Sequence, residues 1–141
     1  MPVKFFNEDS NYQLQQKRII KDWIKNTIQN EKDKLGAINY IFTSDNYLLT
    51  INNEYLSHNY YTDIITFNYC DNNTINGDIF ISIDSIRNNS ARFGVTFINE
   101  LHRVMIHGIL HLIGYDDQTD EQKAIMREKE NYYLDRLKKL F

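Results

Sequence analysis

At 141 residues the chain is long enough to bury a core of its own without disulfides, and it is expected to form a single domain. Apolar residues make up 42% and charged residues 25%, a balance that excludes a disordered chain, and no run of about eighteen apolar residues is present to span a membrane as a helix. A net charge of −3 excludes a protein that holds nucleic acid by bulk electrostatics alone, although local basic clusters remain able to do so.

Taken in chain order, the first element is the strand-like Val3-Lys4-Phe5-Phe6, which follows Met1-Pro2 directly and leaves no signal peptide in view, so a cytoplasmic protein is expected. A helix is predicted over residues 12–30, because Ile20, Trp23, Ile24, Thr27 and Ile28 recur at spacings of three and four. Ile38, Tyr40 and Phe42 alternate as one face of a strand, and Ser44 or Asp45 can cap a short helix running to about residue 53. Residues 63–69 and 78–83 are rich in β-branched and aromatic side chains and flank an Asn-rich stretch, 68–76, so they read as a hairpin. Gly77-Asp78 reads as turn chemistry at the start of its second strand. The single cysteine, Cys70, lies in the Asn-rich stretch with no basic neighbour to activate it. A helix is expected over 82–92, a second over 97–113, and a last one to about residue 138, opened by the capping box Thr119-Asp120-Glu121-Gln122. The sum is an α+β fold, a small mixed β-sheet covered by helices. Lys17, Arg18, Lys21 and Lys25 on the first helix and Arg127, Arg136, Lys138 and Lys139 on the last read as solvated faces.

The chemistry concentrates in His107-Gly108-Ile109-Leu110-His111-Leu112-Ile113-Gly114-Tyr115-Asp116-Asp117. Two histidines four residues apart on a helix share a face, one turn apart, and can reach one ion. Met105, Ile106, Ile109, Leu110, Leu112 and Ile113 make this helix apolar nearly all round, so imidazoles within it need partners. Gly114 is placed to end the helix in a conformation of positive φ and return the chain, bringing Asp117 toward the same ion. Two histidines and a carboxylate make three protein ligands, the usual catalytic count for zinc, because a fourth position stays open to water. The proteolytic motif H-E-x-x-H has its general base just after the first histidine, where this chain has Gly108, which argues against a conventional zinc protease. Asp116, Glu100 and Glu121 are nearby candidate bases among which the sequence does not choose. His58 and His102 lack a partner at metal spacing and read as surface or packing residues.

The same run resembles the hallmark H-G-x-L-H-L-x-G-Y-D-H of the YbeY family of bacterial metal-dependent endoribonucleases. Thr62-Asp63-Ile64-Ile65-Thr66-Phe67 is similar to the family's T-D-V-L-S-F strand, and Gly77-Asp78-Ile79-Phe80-Ile81-Ser82 to its G-D-I-x-I-S strand. The order and spacing of these blocks match from about residue 38 to the last helix. The resemblance implies a zincin-like α+β arrangement with the metal site at the end of a central helix. It implies His107, His111 and Asp117 as ligands of one zinc ion, with manganese or another divalent ion as an alternative, and Thr62 and Asp63 as substrate contacts on a strand that edges the cleft. Asp117 stands where the family usually has a third histidine, and Leu56 stands where it usually has an arginine. The implied activity is cleavage of single-stranded RNA in small-subunit (16S) rRNA 3′-end maturation and ribosome quality control, with ribosomal RNA, the small ribosomal subunit and assembly factors as partners and no membrane. Two rivals are a metallohydrolase of peptides or small molecules, and a nonenzymatic ribosome-assembly module whose zinc braces the fold.

Overall fold

Two neighbouring parallel strands need a crossover, and in the computed structural model, which describes residues 2–56 and 62–141, helix α1 (Lys17–Asn30) supplies it between β1 (Val3–Asn7) and β2 (Lys34–Thr43). Helix α2 (Asp45–Leu56) and strand β3 (Ile64–Asn68) follow, then β4 (Thr74–Ser82), which pairs parallel with β2 and antiparallel with β3. The sheet order is β1-β2-β4-β3, and helices α3 (Ile83–Phe93), α4 (Phe97–Ile113) and α5 (Asp120–Lys138) complete the mixed α+β fold that the patterning predicts.

Alternation along the strands decides which face is buried. Ile38, Tyr40 and Phe42 of β2 and Ile75, Ile79 and Ile81 of β4 are buried in one cluster with Ile20, Trp23, Ile24 and Ile28 of α1 and the apolar side of α4. The opposite face is covered in part by α2, whose Tyr47 stacks on Phe80 of β4 with ring centroids 6.5 Å apart. Helix α4 is the central element. Leu101, Met105, Ile106, Ile109 and Leu110 have no exposure, each contributing about 1.5–3 kcal/mol of burial. A Cβ on Gly108 would stand 3.0 Å from Ile79 Cγ2 and 3.1 Å from Ile64 Cδ1, so the glycine lets the helix lie close on β3 and β4.

Four local expectations are corrected. Helix α1 begins at Lys17 rather than at residue 12, because Gln16 adopts a left-handed conformation (φ 58°, ψ 41°). The apolar Tyr12 and Leu14 that mimic helical spacing pack on the core from an irregular segment, Tyr12 against the rings of Phe42 and Phe97. Strand β2 starts four residues before Ile38, with a register shift between Leu35 and Ile38 that an alternation pattern cannot show. Strand β4 likewise takes up the end of the Asn-rich stretch, and Gly77-Asp78 lies inside it rather than in a turn. A Cβ at Gly77 would stand 2.8 Å from both Leu112 Cδ1 and the Phe67 carbonyl oxygen, so the residue serves close packing, and Asp78 accepts a hydrogen bond from Asn39 Nδ2 at 3.0 Å. His58 lies outside the described residues.

His102 is a packing residue, buried against Trp23 with ring centroids 6.0 Å apart. Burial pushes its imidazole down from the ordinary 6.5 to about 4. Protons therefore bind the unfolded chain more readily, and the stability present above the unfolded value is lost as pH falls toward the folded one, by about 2 kcal/mol at pH 5. Urea midpoints measured at pH 7 and pH 5 should fall more in the parent than in His102→Phe; equal losses would remove His102 as the cause.

Candidate metal centre

Thr96 caps α4 by accepting a hydrogen bond from the Asn99 N–H at 3.1 Å, which sets the start of the helix at Phe97, ten residues before His107. At the other end Gly114 takes φ 127°, ψ 4°, and its N–H reaches the carbonyls of Leu110 and His111 while the Tyr115 N–H reaches Leu110 at 3.0 Å. The reversal is held from outside as well, since Tyr115 donates its hydroxyl to Glu31 Oε1 at 2.6 Å. Two residues on, Asp117 Oδ2 lies 3.4 Å from His107 Nε2 and 3.5 Å from His111 Nε2.

These three atoms, all within 4.8 Å of one another, form a group that could hold a metal ion. Ligand atoms about 2.0–2.1 Å from a tetrahedral centre stand about 3.3–3.5 Å apart, so the separations of Asp117 from the two histidines match those of a zinc-sized set. Both imidazoles are partly exposed, their side chains retaining 20% and 25% of their surface, so an ion held there would keep a side open to solvent.

The other ring nitrogen of His107 is also engaged. Its Nδ1 lies 2.8 Å from Glu130 Oε2 on α5, and with the proton on Nδ1 the Nε2 lone pair is turned toward Asp117 and His111. Glu130 is buried, and its second oxygen accepts from Arg103 Nη1 at 3.0 Å, with Arg127 at 3.6 Å. Burial works to raise the Glu130 pKa, but the hydrogen bond and charge of His107, together with Arg103, outweigh it and hold the carboxyl below its ordinary value. At His107 burial disfavours the cation, yet the Glu130 bond and charge prevail and raise the pKa.

His107 and Asp117 open onto a cleft of about 300 Å³ whose wall includes Asp63, Asn89, Phe93, Glu100, Arg103, Arg127 and Glu130. Two roomier concavities, of about 420 and 800 Å³, contain no histidine and lie apart from the triad. Asp63 is raised in pKa by burial, opposed by His107, and accepts from Asn89 Nδ2 at 3.3 Å. Glu100 is raised by burial, opposed by Arg103. Of the three candidate bases read from sequence, Glu100 reaches this wall, whereas Asp116 and Glu121 do not line it. Thr62 donates its hydroxyl to the Ile64 carbonyl at 3.3 Å and does not line it either. Leu56 ends α2 and is 40% exposed. Sequence reasoning missed Glu130, Arg103, Asn89 and Phe93. For Glu130 a signal existed: it interrupts the buried stripe Met126, Tyr133, Leu134, Leu137 of α5, and a carboxylate in an apolar stripe needs a partner.

A fold with three donors able to hold an ion at the end of a buried helix defines a class of α+β proteins with a candidate metal centre, and comparison with known proteins narrows it. The family model for Endoribonuclease YbeY matches residues 4–138. Endoribonuclease YbeY of Bacteroides thetaiotaomicron is 51% identical over 118 residues, 84% of this chain and 86% of that protein. Its counterpart in Cytophaga hutchinsonii is 47% identical over 133 residues, covering 94% and 93%. The solution structure of TM1509 from Thermotoga maritima superposes with a TM-score of 0.68 at 25% identity, covering 96% of this chain and 88% of that one. The chain belongs to the Endoribonuclease YbeY family.

Because Glu130 fixes the tautomer and aim of His107, Glu130→Gln should weaken zinc binding about 10- to 100-fold, read by competition with a chromophoric chelator at pH 7.5. Unchanged affinity would show that the hydrogen bond does not organise the site.

Proposed function

We propose that this chain is a cytoplasmic, metal-dependent endoribonuclease that cuts single-stranded RNA, acting in small-subunit (16S) rRNA 3′-end maturation and ribosome quality control beside the small subunit and its assembly factors. The observation that carries the reading is the convergence of His107 Nε2, His111 Nε2 and Asp117 Oδ2 beside an open cleft, in a member of the Endoribonuclease YbeY family. Among the described residues no helix is long and apolar enough to cross a membrane.

His107, His111 and Asp117 would hold the ion, zinc by donor type, with the carboxylate also suiting manganese. Bound there, a divalent ion would supply Lewis acidity toward a phosphoryl oxygen and a more acidic water. Around it the chain's own groups divide the work. Glu130 holds His107 in place through Nδ1. Asp63 and Glu100 put carboxyl groups in the cleft wall, where burial raises the pKa of each. A polyanion also needs a cation, and Leu56 offers none at the position of the family arginine. Arg103 is committed to Glu130 and to Asn131 Oδ1 at 3.2 Å. Arg127, 60% exposed and with Glu130 only at 3.6 Å, retains donors for a phosphate.

Cleavage of an unpaired RNA should need added metal and fall at least about a hundredfold in His111→Ala, while a peptide panel stays intact. Run across a salt series, the same assay should show Arg127→Ala with weaker RNA binding and a salt slope shallower by about one. Equal cleavage by His111→Ala in chelator would contradict the reading, and peptide cleavage without RNA cleavage would transfer it to the hydrolase rival.

A further inference from the structure

Phe93 is the last residue of α3, and the chain turns sharply behind it: Gly94 takes φ 68°, ψ 32°, and the Val95 N–H bonds the Ser90 carbonyl at 3.0 Å. The turn fixes where the ring is presented. Phe93 is 58% exposed, yet it forms part of the wall of the cleft that also holds His107, Asp117 and Arg127. Among the described residues of that wall it is the one Phe, Tyr or Trp; the remainder is polar or charged apart from Ile64 and Val104. The guanidinium carbon of Arg92 lies over the ring, 5.8 Å from its centroid, which places a cation on one face of an otherwise exposed ring.

An exposed ring next to cationic groups is how proteins hold unpaired nucleotides, because every base has a π-face and its phosphate carries charge. Bases inside a duplex are covered on both faces by their stacked neighbours, so a ring held on a helix end cannot reach them without unstacking. We propose that Phe93 is the base-stacking residue of this cleft, packing on an unpaired base beside the phosphate that lies at the donor triad, and that it thereby selects single strands. The proposal rests on the endoribonuclease reading and adds to it the residue that distinguishes unpaired from paired substrate. Arg127, on the same wall, takes the phosphate of the nucleotide whose base Phe93 holds.

The test uses the zinc-loaded full chain, a short single-stranded RNA, the same sequence annealed into a duplex, and a set of the single strand carrying one abasic nucleotide at each position in turn. Phe93→Ala should lower kcat/KM on the single strand about fivefold to a hundredfold, mainly through KM, and leave the slow duplex rate unchanged. Phe93→Trp should restore the loss. One abasic position should cost the parent a similar factor and cost Phe93→Ala nothing, a coupling that a purely structural role would not create; zinc content and melting temperature should match the parent throughout. Phe93→Ala with parental kcat/KM, or with an equal loss at every abasic position, overturns the assignment and gives the exposed Phe93, Val95 and Ile98 to another role, such as a protein contact. A parent that cuts no RNA overturns the endoribonuclease reading and this inference together, whereas a parent that cuts RNA beside an indifferent variant overturns this inference alone.

Discussion

The hydrogen bond between His107 Nδ1 and Glu130 Oε2, 2.8 Å long, ties the central helix α4 to α5 and sets which nitrogen of His107 faces the cleft. Its cost is the burial of a carboxylate, and that cost is offset by Arg103 on one oxygen and His107 on the other. Removing one partner from such an arrangement costs about 3–5 kcal/mol, because it strands a buried charge. The site and the packing of the two helices are therefore one construction. A chain that kept the triad without Glu130 would keep three donors and lose the aim of one of them.

The second support lies in how closely α4 can approach the sheet. Gly108 of the helix receives the Ile79 and Ile64 side chains of the sheet, and Gly77 of β4 receives the Leu112 side chain of the helix, so each glycine removes a clash at the crossing. Gly108 occupies the place where a zinc protease carries its general base, and here that place meets the sheet rather than the cleft. The far side of the turn is anchored by Glu31 at the end of α1, which accepts from the hydroxyls of Tyr115 and Tyr133 and from Lys129 Nζ at 3.2 Å. Asp117 is thus carried on a loop fixed at Gly114 by backbone geometry and at Tyr115 by a side chain.

What could be read in the sequence followed from local chemistry. Helix α4 spans the residues its apolar pattern predicts, and α5 opens on the Thr119–Gln122 capping box, with both reciprocal hydrogen bonds present. The histidine spacing and the glycine break make the approach of His107, His111 and Asp117 legible, because each acts within a few residues, whereas the Tyr115–Glu31 bond that also holds the loop is long-range. Glu130 is 23 residues from His107, and its role depends on how α4 and α5 cross, which periodicity does not state. The same holds for Phe93 and Asn89, which reach the cleft only because α3 packs beside α4. The false start of α1 has a physical origin too: Tyr12 and Leu14 mimic helical spacing while Gln16, in a left-handed conformation, separates them from the helix.

The most direct measurement is a crystal structure of the zinc-loaded chain with anomalous data collected at the zinc edge. The account predicts one strong peak bonded to His107 Nε2, His111 Nε2 and a carboxylate oxygen of Asp117 at about 2.0–2.2 Å, with Glu130 still on His107 Nδ1 and a position of the ion open to the cleft. A peak elsewhere, coordination through His107 Nδ1, or Asp116 in place of Asp117 would contradict it.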